Sequence, residues 1–322
     1  MKKNLLIFAF IFSVSSIFSK GSTSFGEDYD NDYVLVKGAV FDGEDDNLPF
    51  LSGLTITVHD IIVGKYSVTQ RLYKQVMKKA GHSDVSPSYF SKKPKIKGEV
   101  SDLRPVENVS WYDAALFCDE LSKMQGLECV YEFSDDGKFR RADTKKNGWR
   151  LLSDNEWEYV YRAGNNSQRD FDFDSTETAW LLEECTHQVG LKKPNELGIY
   201  DLHGNVFEWT STISPKKILR KPEAKGTSYA FVYDPPQKYV ARGGCWNSSF
   251  EREALRPSEK SNRVGFRICR NAALDTARGL DYLSELEKDV ILEMNKARTN
   301  PALYAELYIS PRLKKFSGYV EK

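Results

Sequence analysis

The residue types best suited to chemistry are the five cysteines Cys118, Cys129, Cys185, Cys245 and Cys269. No C-x-x-C occurs, and no Cys/His spacing fits a zinc site. The histidines His59, His82, His187 and His203 stand isolated in sequence, which suits surface or hydrogen-bonding roles rather than metal ligation. An odd number of cysteines leaves at least one thiol free or paired between chains, and the connectivity stays open. The carboxylates Asp170, Asp172 and Asp174 alternate with Phe171 and Phe173, the period of a solvated strand face rather than of an acid–base pair. Cys245 follows Gly243 and Gly244, so one thiol sits just after a tight turn.

The elements that position these groups belong to a 322-residue chain with 46 basic and 46 acidic side chains. Its mean hydropathy is −0.52. Zero net charge and the absence of a basic run exclude nucleic acid as a partner. Pro and Gly make up about a tenth of the chain, which excludes collagen and disorder. The scattered aromatics, 6 Trp, 17 Tyr and 18 Phe, exclude a coiled coil. At the N-terminus Lys2 and Lys3 precede an apolar stretch from Leu5 to Val14 and small residues up to Ser19, the order of a secretory signal peptide over residues 1–19. The alternative, an uncleaved anchor, needs a longer apolar core. No cysteine lies in or just after this segment, which argues against a lipoprotein, and no other window reaches transmembrane length. The expectation is an exported protein (periplasmic, outer-surface or secreted) with no integral membrane span, whose cysteines meet an oxidising compartment.

Residues 20–35 are polar and acidic and read as a linker. From Val34 short β-like runs follow, VLVKGAVF and LTITVHDIIVGKYSV, bounded by Gly and Asp. Two strong helices interrupt them. One starts at the N-cap Ser110, with Asp113 three residues on and an apolar stripe through Trp111, Ala114, Ala115, Phe117, Cys118 and Leu121. The other starts at Ser153, with Glu156 completing a capping box, and runs to Gly164. A weaker amphipathic helix covers residues 68–80. No long helical period recurs until residue 284, so the domain is α+β and loop-rich.

Six segments occur in order: KYSVTQRLY, RPVENVSWYDAALFC, GWRLLSDNEWEYVYRAG, THQVGLKKPNELGIYDLHGNVFEW, ARGGCWNSS and VGFRICR. Together they resemble the formylglycine-generating enzyme (sulfatase-modifying factor) family over residues 36–270. The resemblance implies a C-type-lectin-like α+β fold of irregular, loop-rich character. It also implies a copper-dependent oxidase that converts a cysteine in a sulfatase C-x-P-x-R motif, using two cysteines five residues apart after an R-G-G-S turn. Here the turn reads Arg242-Gly243-Gly244-Cys245, and the two cysteine positions fall on Ser248 and Glu253. Soft Cu(I) wants two thiolates, which a hydroxyl and a carboxylate cannot replace. A copper centre relocated to Cys245 and Cys269 is disfavoured, because a disulfide or a buried thiol explains both. No catalytic residue is therefore assigned.

The resemblance further places a structural calcium site on Asp201, Gly204, Val206 and Glu208, two carboxylates and two backbone carbonyls that suit hard Ca²⁺. The alternative is that Asp201 and Glu208 cap turns or pair with a nearby Arg or Lys. The family's second calcium site, near residues 178–184, lacks recognisable ligands. Relatives of this fold bind ligands around the segment from Trp246 to Arg256, so Trp246, Phe250, Arg252 and Arg256 are the expected contacts for a protein or peptide ligand. An equal reading makes Trp246 a core residue. Residues 271–283 read as a second linker. Residues 284–322 then open with a helix capped by Ser284 and Glu287, and resemble the start of a CAP (cysteine-rich secretory, antigen 5, pathogenesis-related) domain through Asn295 to Arg298. The function expected is a non-catalytic binding module; the alternatives are an oxidative protein modifier and an envelope-associated structural protein.

Overall fold

The computed structural model describes residues 33–41, 56–92, 94–164, 177–214, 237–248, 252–272, 284–299 and 309. The expected signal segment, Asp170 to Asp174, Phe250 and most of residues 300–322 lie outside them. Two four-stranded sheets carry the domain. The first pairs β1 (Tyr33–Val36), β4 (Ile61–Gly64), β12 (Ile268–Asn271) and β7 (Arg150–Leu151) in that order. The second pairs β10 (Arg252–Leu255), β9 (Tyr239–Arg242), β8 (Phe207–Ile213) and β11 (Val264–Phe266). Two hairpins complete the strands: β2 (Ala39–Phe41) with β3 (Ile56–Val58), and β5 (Tyr131–Phe133) with β6 (Phe139–Ala142). The β-like run expected from Val34 pairs with β4, and Tyr33, expected as linker, joins it by pairing with Gly64. Their apolar side chains favour a paired strand over solvated chain.

The helices begin where their caps dictate. In α1 (Gln70–Lys79) the Thr69 hydroxyl accepts the Leu72 amide at 3.2 Å, and Leu72, Tyr73, Val76 and Met77 turn inward. In α2 (Trp111–Met124) Ser110 and Asp113 form a reciprocal capping box, and the expected stripe is buried. In α3 (Asp154–Tyr161) Ser153 and Glu156 do the same. Glu156 also receives the Arg150 guanidinium through both oxygens at 2.7 Å, which fixes the helix start to β7. The helix α4 (Glu285–Thr299) is capped by Ser284 and Glu287. No helix among the described residues is long and apolar enough to cross a membrane.

The core is built around indoles. Trp111, Trp149, Trp157 and Trp209 are fully buried, and their N–H groups would be costly without partners. Trp111 donates to the Thr210 carbonyl at 2.9 Å, and Trp209 donates to the Val109 carbonyl at 3.0 Å, a reciprocal stitch between β8 and the start of α2. The chain leaves one sheet and enters the other at a single residue. Phe266 ends β11, Ile268 begins β12, and Arg267 between them is fully buried.

Candidate functional site

The turn after β9 is backbone-determined. Gly243 has φ +96° and lies so close to the next strand connection that a Cβ there would meet the Leu202 carbonyl oxygen at 2.8 Å. The Gly243 carbonyl accepts the Gly204 amide at 2.7 Å. The chain then folds back on itself: the Cys245 amide donates to the Ser248 carbonyl at 2.9 Å and the Ser248 amide to the Cys245 carbonyl at 3.1 Å. The Cys245 thiol is buried, 3.1 Å from Asn247 Oδ1, and accepts the Arg263 Nε–H at 3.4 Å. Arg263 reaches on to Glu253 Oε2 at 3.2 Å.

These contacts decide what the turn can do. Of the two positions where the family carries copper ligands, Glu253 is paired to a guanidinium and Ser248 offers a hydroxyl. Cys269 does not supply a second thiol beside Cys245. It lies in β12, where its sulfur accepts Arg150 Nη1 at 3.1 Å and burial pushes its thiol well above the ordinary range. All five cysteines are free thiols, so the expected disulfide alternative for Cys245 and Cys269 is not realised. The residues present do not fit a Cu(I) centre.

The expected ligand-binding residues divide. Trp246 is partly buried. Its ring meets Phe90 edge-to-face with centroids 5.3 Å apart, and its indole N–H donates to the Asn262 carbonyl at 3.2 Å. Arg256 is exposed, 3.8 Å from Glu259. Arg252 is engaged with α3, donating Nε and Nη2 to Asp154 Oδ2 at 3.1 and 3.0 Å. Asp154 also faces Arg242, which pairs with Glu158 and lies over the Trp157 ring. Arg252 is thus exposed at its outer side while its guanidinium is tied to the ionic network on α3. Two exposed side chains not anticipated from sequence adjoin the residues that touch Trp246. Tyr89, beside Phe90, is 71% exposed. Leu182 is 86% exposed, in left-handed backbone at φ +57°, held there as the next residue, Glu183, donates its amide to the Trp246 carbonyl at 2.6 Å. Neither stands in an apolar period, so no sequence pattern signals them.

The set expected to hold calcium is also divided. Glu208 is buried with both oxygens engaged: Oε1 accepts Ser67 Oγ at 2.7 Å and Arg267 Nη2 at 2.8 Å, and Oε2 accepts Trp157 Nε1 at 2.7 Å. Arg267 Nε lies 3.1 Å from each oxygen. This is the pairing with a nearby arginine that the sequence left open, and it supplies the countercharge a cation would have brought. Asp201 differs. Its Oδ2 accepts the Gly190 amide at 2.7 Å, while Oδ1 is buried with no hydrogen-bond partner. Burial pushes its carboxyl up to about 6. An orphaned buried oxygen fits a cation or a proton. Gly204, with φ +82°, packs so tightly that a Cβ would meet the Trp180 carbonyl oxygen at 2.1 Å, which fixes the backbone beside Asp201. Asp201 thus keeps one oxygen open and Glu208 does not, and among the described residues no three His, Cys, Asp or Glu side chains gather as a metal site.

The chaperone protein LppX of Paenibacillus barcinonensis is 33% identical over 241 residues, 63% of this chain and 79% of LppX. The inactive C-alpha-formylglycine-generating enzyme 2 of Bos taurus is 25% identical over 169 residues, and the chain spans about half its length, 50%. Among solved structures, Treponema denticola variable protein 1 superposes with a TM-score of 0.55 at 27% identity, covering 75% of this chain and 94% of that one. CarF, at 23% identity and a TM-score of 0.55, shares the fold over 75% of this chain and 98% of its own. The profile of the sulfatase-modifying factor enzyme 1-like domain matches residues 21–272, ending before α4. The chain belongs to the sulfatase-modifying factor (formylglycine-generating enzyme) family.

Proposed function

We propose that this chain is an exported, non-catalytic member of its family that binds a protein or peptide through the face around Trp246. The observation that carries the reading is the pairing of Glu253 with Arg263 at a position where the oxidase needs a thiolate. With Ser248 at the other position, neither oxygen activation nor a mixed disulfide with a substrate cysteine has its two sulfurs. The relatives whose names describe a chaperone and an inactive enzyme support a binding role for the same scaffold. The face offers apolar surface at Tyr89, Leu182 and the edge of Trp246, with Arg256 as its exposed cation. Aromatic and arginine side chains are those most enriched at binding hot spots. Calcium at Asp201 is part of this reading as a structural ion that steadies the loop behind Gly204. The test is a capture experiment with the full chain against the exported proteome, repeated with Tyr89→Ala, Leu182→Ala and Arg256→Ala. Loss of one reproducible partner in these variants, with unchanged melting, supports the reading. Undiminished capture by all three removes it.

A further inference from the structure

We propose that Glu107 is a proton-controlled clasp on the segment from Ser88 to Phe90, so that the aromatic rim Tyr89–Phe90–Trp246 is held more tightly when Glu107 is ionised. The clasp has three points. Glu107 Oε1 accepts the Phe90 amide at 2.8 Å, its backbone N–H donates to Ser88 Oγ at 3.3 Å, and its carbonyl accepts the same hydroxyl at 3.4 Å. Next to it Asn108, at φ +62°, donates Nδ2 to the Pro87 carbonyl at 2.8 Å. Glu107 is fully buried, and its Oε2 has no hydrogen-bond partner. A carboxylate in that position has one strong reason to be there, the charge-assisted bond to the Phe90 amide, and one oxygen where a proton can settle.

The charged groups around the segment leave Glu107 without a salt bridge among the described residues. Arg104 is buried beside it, but its guanidinium points to the Pro94 carbonyl at 2.8 Å and the Phe90 carbonyl at 3.5 Å, and lies 3.8 Å from Glu99. Glu99 is taken by His187 Nδ1 at 2.8 Å. On the other side Lys260 bridges to Asp113 at 2.9 Å and Asp84 at 4.0 Å. From α1 the neutral Gln70 reaches Phe90, and from the Cys245 turn Trp246 does. Burial therefore governs the proton on Glu107 and pushes its carboxyl up to about 7, against the opposing pull of the Phe90 and Tyr89 amides. Near neutral pH the group changes charge, and the strength of its bond to Phe90 changes with it.

The proposal concerns the face assigned above to ligand binding, yet its test reads the segment itself and needs no ligand. In the full chain, the Glu107 carboxyl carbon and the Phe90 amide are followed by NMR from pH 5.5 to 8.5. Both are expected to titrate together with a midpoint near 7. Protection of the Phe90 amide against hydrogen exchange, corrected for the intrinsic rate, is expected to fall about fivefold on protonation, as a charge-assisted bond becomes a neutral one. Glu107→Gln should abolish the Phe90 titration, and His187→Asn should leave it in place. A Phe90 amide that does not titrate in the wild type, or one that follows His187, overturns the proposal. If Glu107→Gln fails to fold, the coincidence of the two wild-type midpoints decides.

Discussion

Arg267 is where the two sheets are joined, and its removal should be the most costly single change that leaves the apolar core intact. The residue is fully buried between β11 and β12. Its guanidinium donates to Gly64 O at 2.9 Å in the first sheet, to Tyr200 O at 2.7 Å, and to Glu208 at 2.8 Å in the second. Arg267→Met keeps most of the volume but leaves Glu208 as a buried anion held only by Ser67 and Trp157, with two carbonyls losing a donor. Breaking a buried pair by removing one partner costs about 3–5 kcal/mol. A domain of ordinary stability has about 5–15 kcal/mol in all. Urea unfolding should therefore show a midpoint lowered by roughly a third or more with an unchanged slope. Adding Glu208→Gln, which neutralises the stranded charge while keeping an acceptor for Trp157, should return about half of the loss. A loss below about 1 kcal/mol for Arg267→Met, the scale of a solvent-screened pair, would refute the reasoning. So would a double variant no more stable than the single one.

Incubation with copper, oxygen and a C-x-P-x-R peptide should yield no thiol-to-aldehyde conversion by mass spectrometry above a protein-free control; turnover would sink the pseudoenzyme reading. Calcium should raise the melting temperature at pH 7.5, by the equivalent of about 2.7 kcal/mol at a hundredfold excess over the dissociation constant. The gain should vanish in Asp201→Asn and shrink below pH 6, where the proton competes for Oδ1; identical melts with calcium and chelator would rule the ion out. Without calcium, burial raises the carboxyls of Asp119 and Asp201 to about 6 and of Glu107 to about 7, all above their unfolded values. Their contribution to stability is present in full below the unfolded values and is lost as pH rises from about 4 through the folded values of 6–7, so denaturant midpoints should fall across that range, level off above it, and fall less in Asp119→Asn. Arg256→Ala should leave the melt within about 0.5 kcal/mol of wild type; Arg252→Ala should cost about 1 kcal/mol by releasing Asp154, and equal melts for the two would remove Arg252 from the network.

What could be read from sequence follows the range of the interaction. Caps act over three residues, so Ser110 with Asp113 and Ser153 with Glu156 announced α2 and α3 at the right positions. The six ordered segments carried the family and the loop-rich α+β class. Contacts between distant segments were not legible. Glu208 meets Arg267 across 59 residues and Arg252 meets Asp154 across 98, and no local pattern distinguishes these arginines from solvated ones. A buried arginine inside the apolar run VGFRICR was the one available hint for Arg267. Asp119 shows the same limit: on a helical wheel it is an ordinary polar position, yet it is buried and accepts the Val130 and Tyr131 amides at 3.0 and 3.1 Å, which fixes the start of β5. Spacing alone cannot tell the orphaned oxygen of Asp201 from the bonded oxygens of Glu208, so it leaves the calcium set and its ion-pair alternative both open.

The same distinction explains how this scaffold can lose its chemistry and keep its shape. The polar groups at the turn after β9 face inward and onto one another: Arg263 joins Glu253 to the Cys245 thiol, and Cys245 closes on Asn247. The groups that hold the sheets together are Arg267, Glu208, Trp157 and Ser67, of which Trp157 packs against Gly243 and under Arg242. The turn's path is set by Gly243 and by backbone bonds to Gly204 and Asn205, so side chains after Gly244 can change without altering that path. Trp246 stays partly buried at the turn, and Tyr89 and Leu182 stand exposed next to its partners Phe90 and Glu183. On the proposed reading this rim holds a partner, while the two positions where the family carries copper ligands hold a hydroxyl and a paired carboxylate.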